Sequence, residues 1–118
     1  MRHRVKKMNK VGIDKEHSVA MVRNIAVSLL INEKVQTTRP RAKATQSVVE
    51  RLIASAKRLE GQNAIKQLMG ALQHENASKK VLEELTKRYS TRSSGFTRLL
   101  RVGNRKGDNA PLVQLELV

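Results

Sequence analysis

The side chains of this sequence that could do chemistry are cations and hydroxyls. Arg39, Arg41 and Lys43 fall within five residues and directly follow Thr37 and Thr38. A guanidinium presents a planar donor fork that matches phosphate, and an ammonium presents a mobile point charge. The chemistry this grouping suits is phosphate binding. Its surroundings are a strand that runs into a helix. Val35 and Thr37 alternate with Gln36 and Thr38, the period of a strand. Thr38 then suits a helix N-cap, and Pro40 suits the first turn, where a missing N–H costs nothing. Cations beside an electropositive helix start are mildly unfavourable, and a bound anion would offset that cost.

Chemistry of other kinds has little material here. His3, His17 and His74 are scattered, and Ser93-Ser94-Gly95 reads as loop composition with no base at hand. There is no cysteine, hence no thiolate nucleophile, disulfide or Cys-ligated zinc. No phosphate-cradling glycine loop or dinucleotide fingerprint occurs. The expectation is a protein that is not an enzyme, with no cofactor, no metal and no small-molecule substrate.

Charge points to a partner. The chain has 118 residues, 24 basic and 10 acidic, and a net charge of +14. Such a surface calls for a polyanion: RNA, DNA or an anionic membrane. One Tyr, one Phe and no Trp leave few platforms for base stacking, which favours contact with phosphates and nucleic-acid shape. No apolar run approaches the roughly 20 residues that span a bilayer. The basic start lacks the apolar core of a secretion signal, so a cytoplasmic location is expected and a membrane partner is not.

Several elements must hold these cations. Residues 1–15 read as a basic arm, carrying Arg2, His3, Arg4, Lys6, Lys7, Asn9 and Lys10, that would order on nucleic acid. Residues 16–118 read as one compact domain. Val22, Ile25, Ala26 and Leu29, widened by Val19 and Leu30, form the apolar face of a helix over 16–32, with Arg23 and Asn24 on its other side. A long helix over 40–59 buries Val48, Val49, Leu52, Ile53, Ala56 and Leu59, and Gly61 suits its C-terminal cap. A shorter helix over 62–73 groups Ile65, Leu68, Met69 and Leu72 as core. A fourth over 77–89 uses Val81, Leu82, Leu85 and Tyr89, with Asn76 or Ser78 as its cap. Residues 96–102 alternate, with Phe96, Arg98, Leu100 and Val102 on one side and Thr97, Leu99 and Arg101 on the other. Charge on both sides suits an edge strand. A basic, turn-rich loop leads to an apolar strand over 112–118, giving a hairpin. The order helix, strand, three helices, two strands implies an α+β fold in two layers, with helices covering one face of a three-stranded sheet.

The positive charge is segregated. Residues 59–86 carry a slight acidic excess, so the whole basic surplus lies outside them, and residues 87–106 contain seven cations and no acid. The third and fourth helices are therefore expected to face core and solvent, and the other segments to form a basic face.

In their order, several short pieces resemble one family. They are Met1-Arg2-His3-Arg4, Arg23-Asn24-Ile25-Ala26 with Ser28-Leu29-Leu30, Thr37-Thr38 with Arg41-Ala42-Lys43, Arg88-Tyr89 with Arg92, Gly95-Phe96-Thr97-Arg98, and Gly107-Asp108 before a last apolar strand. The chain resembles bacterial large-subunit ribosomal protein 17 over nearly its whole length. The resemblance implies a structural constituent of the large ribosomal subunit, bound to ribosomal RNA, with large-subunit proteins 22 and 32 as neighbours. It also implies a mixed three-stranded sheet with the last strand in the middle. The expected RNA-binding residues are the arm residues named above, Arg23, Asn24, Thr37, Thr38, Arg41, Lys43, Arg92, Thr97, Arg98, Arg101, Arg105 and Lys106. The competing reading is a free-standing DNA-binding or chromatin-like basic protein.

Overall fold

The structure, a computed structural model, describes residues 14–118. The Asp14 carboxylate caps helix α1 (Lys15–Asn32) by accepting the Glu16 amide at 3.2 Å. α1 leads into strand β1 (Lys34–Thr38), which runs directly into α2 (Arg39–Arg58). Helix α3 (Gln62–Leu72) follows, then α4 (Glu75–Lys80). α4 continues through a π-helical turn, Val81–Leu85, into a last helical turn, α5 (Thr86–Arg88). Strands β2 (Thr97–Asn104) and β3 (Pro111–Leu117) complete the chain. The two-layer α+β architecture expected from the sequence is present.

Strand order is β1-β3-β2, and both pairings are antiparallel. The last strand is central, as expected, but the sheet is not mixed. The hairpin between β2 and β3 fixes one pairing as antiparallel. The other follows from where β3 ends: the Leu117 amide donates to the Glu33 carbonyl, so the end of β3 meets the start of β1. Along β3, Val113, Leu115 and Leu117 are buried against the helices, while Leu112, Gln114 and Glu116 take the other face.

The core joins both layers. Leu29 and Leu30 of α1, Val49 and Ile53 of α2, Leu68 and Leu72 of α3, and Val81 and Leu85 meet Leu115 and Phe96. Each fully buried side chain of this size contributes roughly 1.5–3 kcal/mol. Tyr89 packs its ring 5.1 Å from that of Phe96 and donates its hydroxyl to the Val118 carbonyl at 2.8 Å. The chain's two aromatics thus fasten the end of the helical layer to the end of the sheet.

Several local expectations are corrected. Ile65 and Met69 of α3 are exposed; only Ala64, Leu68 and Leu72 of that helix are buried. Its narrow apolar stripe meets neighbours on one side alone. Gly61 does not end α2, which stops at Leu59 in extended geometry. Instead Gly61, at φ +59°, opens α3. The fourth helix starts earlier than expected because His74 caps it, Nδ1 accepting the Ala77 amide at 3.1 Å. In β2 it is Thr97 and Leu99 that turn inward, while Arg98 and Leu100 face solvent. Phe96 lies just before the strand and is buried. The register slips between Arg101 and Gly103, so Val102 bulges outward and is half exposed.

Two carboxylates hold the layers in register. Glu50 of α2 accepts the Phe96 amide at 3.2 Å, the Thr97 amide at 2.8 Å and the Thr97 hydroxyl at 2.6 Å. Glu33 sits in the left-handed region at φ 67° just after α1, where a non-glycine residue needs support. Arg88 donates to both of its carboxylate oxygens, at 3.1 and 2.8 Å, and Lys80 approaches at 3.1 Å.

Glu50→Ala is expected to lower unfolding free energy by about 2–3 kcal/mol, since it strands two amides and a hydroxyl that used a charged acceptor. A denaturant series should show a lower midpoint at unchanged slope, and Thr97→Val should cost less, about 1 kcal/mol. Glu33 gives a pH signature. Hydrogen bonds from Arg88 and then Lys80 hold its carboxyl down to about 2, from an ordinary value of 4.5. Its contribution is full above about pH 4.5 and is lost as pH falls towards 2. The pair is partly solvated, which keeps the effect within the ~0–1 kcal/mol range of surface pairs. Glu33→Gln should flatten the thermal midpoint against pH across that acid window.

Candidate nucleic-acid interface

β1 carries the chain to the junction. Thr37 and Thr38 pair with Val113 and Leu112 of the central strand, which fixes where α2 begins. Behind the junction Ala42 and Thr45 are buried, and the Thr45 hydroxyl donates to the Arg41 carbonyl at 2.9 Å. This inner side leaves Arg39, Arg41 and Lys43 exposed on the outer side. Thr38 stands at the N-cap position, but its side chain makes no capping bond. The expected cap is therefore absent. Pro40 in the first turn has no N–H to offer. α2 begins with no acidic residue in its first turn, so its positive end carries three exposed cations and, among the described residues, no side-chain cap.

The hairpin supplies a second group, and the structure divides it. Arg98 donates to Glu116 on the neighbouring strand at 2.5 Å, which holds the Glu116 carboxyl below its ordinary value, with Gln114 adding to the effect. Arg105 and Asp108 form a two-point pair across the hairpin tip. Arg105 first, and then the Ala110 amide, hold Asp108 at about 2. The Arg105 amide to Ala110 carbonyl and Asn109 amide to Arg105 carbonyl bonds, at 2.8 and 2.9 Å, close the tip. Arg101 and Lys106 are exposed, and neither takes part in an ion pair among the described residues.

Other expected residues are placed differently. Thr97 is buried at 8% exposure, and its hydroxyl donates to Glu50 and accepts from Gln46 at 3.1 Å. It positions the hairpin and does not reach the surface. Arg23 is half-buried and spends its Nε on the Ala71 carbonyl at 3.3 Å, tying α1 to α3, while Asn24 beside it is exposed. Arg92 donates to the Gly95 carbonyl at 3.1 Å and shapes the loop before β2. The underside of that loop is held by Lys57, which donates to the Arg92 carbonyl and lies 5.3 Å from the Phe96 ring centroid. The arm residues Arg2, His3, Arg4, Lys6, Lys7, Asn9 and Lys10 lie outside the described residues.

Among the exposed cations outside the expected set, two stand on α2 beyond the junction. Arg51 and Arg58 are exposed on α2, and neither is in an ion pair among the described residues. Their signal in the sequence is the absence of any acid between Arg51 and Leu59. Among the described residues there is no grouping of three His, Asp or Glu that could hold a metal, and no helix long and apolar enough to cross a membrane.

Fold and charge define a small α+β protein in which Glu33, Glu50, Asp108 and Glu116 are spent on internal contacts and many cations are left exposed. Its relatives narrow the class. Residues 21–118 match the family model described as Ribosomal protein L17. A protein of Syntrophotalea carbinolica named "Large ribosomal subunit protein bL17" is 42% identical over 118 residues, all of this chain and 75% of that protein. The protein of that name from Wolinella succinogenes is 41% identical over 92% of this chain and 93% of its own length. The one from Ehrlichia canis is 37% identical over the whole chain and 91% of its own length. The chain belongs to the ribosomal protein L17 family.

Asp108→Asn should release Arg105 and loosen the hairpin tip. Hydrogen exchange at the Asn109 and Ala110 amides is expected to accelerate while the global unfolding midpoint stays unchanged. Unaltered exchange at the Asn109 amide, whose partner is the Arg105 carbonyl, would mean that the ion pair does not hold the tip closed.

Proposed function

We propose that this protein is a structural, non-enzymatic constituent of the large ribosomal subunit that binds folded ribosomal RNA through phosphate contacts. The observation that carries the reading is the junction at 37–43. A helix start with no side-chain cap and no first-turn acid exposes Arg39, Arg41 and Lys43, none of them in an ion pair among the described residues. Phosphate would supply both the acceptor and the negative charge that this end lacks. Family membership supports the same partner, as do the names of the relatives. Large-subunit proteins 22 and 32 are the proposed protein neighbours, on the ribosome in the cytoplasm. Arg2, His3, Arg4, Lys6, Lys7, Asn9 and Lys10 would extend the contact, and Arg101 and Lys106 would meet RNA from the hairpin.

The competing DNA reading needs α1 and α2 to act as a helix-turn-helix. β1 lies between them and is paired along its length with β3, so α2 follows a sheet strand and not a tight turn. Phosphate contacts of this kind position a protein without reading bases, and specificity then falls to the folded shape of the RNA.

Arg41→Ala with Lys43→Ala should weaken binding to a large-subunit ribosomal RNA transcript and make its salt dependence shallower by about 1.5, at roughly 0.7–0.9 per phosphate neutralised. Helix content by circular dichroism should stay as in the parent. An unchanged salt slope would remove the junction from the interface.

A further inference from the structure

The outer side of α2 differs in composition from the outer sides of the other helices. Lys43, Ser47, Arg51, Ala54 and Arg58 are all exposed. Their spacing of four, four, three and four residues keeps them on one side of the helix. The helix has a single acid, Glu50, and its carboxylate is turned inward to Phe96 and Thr97. None of Lys43, Arg51 and Arg58 is in an ion pair among the described residues. An ordinary solvated face mixes signs, as α4 does with Glu75 and Lys79 paired at 3.1 Å. Between the cations stand small residues. Ser47 keeps its hydroxyl on the Lys43 carbonyl at 3.3 Å, and Ala54 is a methyl group.

We infer that this stripe is a phosphate rail: Lys43, Arg51 and Arg58 hold one stretch of ribosomal RNA backbone along α2, continuing from the 37–43 junction. At about 1.5 Å of rise per residue, Lys43 and Arg51 are about 12 Å apart along the axis, and Arg51 and Arg58 about 10 Å. Those intervals exceed the roughly 8 Å screening length at physiological salt, so the cations act independently and each meets its own phosphate. Ser47 and Ala54 keep the surface between them low, which lets a bulky backbone approach the helix. Turning Glu50 inward serves both ends: it anchors the hairpin and clears the rail of its one carboxylate.

The inference rests on the ribosomal RNA reading above, and the test separates the two. Binding of the full chain to a large-subunit ribosomal RNA transcript is measured across a salt series. Arg51→Gln with Arg58→Gln is expected to flatten the slope by about 1.5, at roughly 0.7–0.9 for each phosphate no longer neutralised. Arg51→Lys with Arg58→Lys should keep it. Ala54→Glu, which sets a carboxylate between the two arginines and keeps helix propensity, should weaken binding as well. Lys66→Gln on α3 is the control and should change nothing. If the parent binds steeply with salt and both the double glutamine variant and Ala54→Glu bind as the parent does, the rail is overturned and the junction reading stands. If the parent shows no salt-dependent binding, both fall together.

Discussion

Glu50 lies midway along α2, and its two carboxylate oxygens take two amides and a hydroxyl from the first residues of the hairpin. These donors belong to the point where the chain leaves the helical layer and enters the sheet. Hydrogen bonds to a charged acceptor are stronger than neutral ones. Together with the burial of Val113, Leu115 and Leu117, this carboxylate fixes how the hairpin sits on the helices. Phe96 is buried because its backbone is held there, and Tyr89 and Lys57 then close over its ring.

The same economy governs the other acids. A chain with 24 cations and 10 carboxylates repels itself, and its carboxylates cannot neutralise every cation. Three of the other acids stand where separate parts of the chain are joined, while Glu60, Glu83 and Glu84 are exposed. Glu33 binds Arg88 and Lys80 where α1, β1 and the end of the fourth helix meet. Glu116 binds Arg98 across the two hairpin strands, and Asp108 binds Arg105 across their tip. Arg98 and Arg105 therefore carry less unspent charge than Arg101 and Lys106, although all four look alike in sequence. The residual charge is left to exposed side chains on α2 and the hairpin.

Periodicity carries most of the fold. The apolar face of α2 and the alternation of β3 predict their burial, and α1 buries Ala26, Leu29 and Leu30 while Val19, expected to widen its face, is exposed. What periodicity does not show is which side of a weakly apolar element turns inward. β2 has apolar residues on both sides, and the Glu50 contact to Thr97, 47 residues away, decides its facing. Caps escape the sequence for a similar reason. His74 in place of Asn76 or Ser78, and Gly61 at the start of α3 in place of the end of α2, depend on backbone angles that residue type only biases. The proposed binding residues are legible as residue types but not as states. Thr97 has the right chemistry for a surface contact and is buried. Arg51 and Arg58 are visible as cations, and only the inward turn of Glu50 sets them apart from an ordinary solvated face.

The start of α2 shows what its cations cost the isolated fold. The missing side-chain cap forfeits about 0.5–2 kcal/mol. Arg39 and Arg41 beside the positive helix end each add about 0.3–1 kcal/mol of unfavourable interaction. Isolated, this turn would fray. It holds because Ala42, Thr45 and Val49 are buried beneath it and because β1, paired to the central strand, delivers the chain in extended form. Packing thus maintains a helix end whose local energetics are poor. An anion at this end would reverse the sign of both local terms at once: it would accept from first-turn amides and turn the two arginines from a cost into a gain. The strain is small enough for the fold to carry alone, and the phosphate contact proposed above would relieve it.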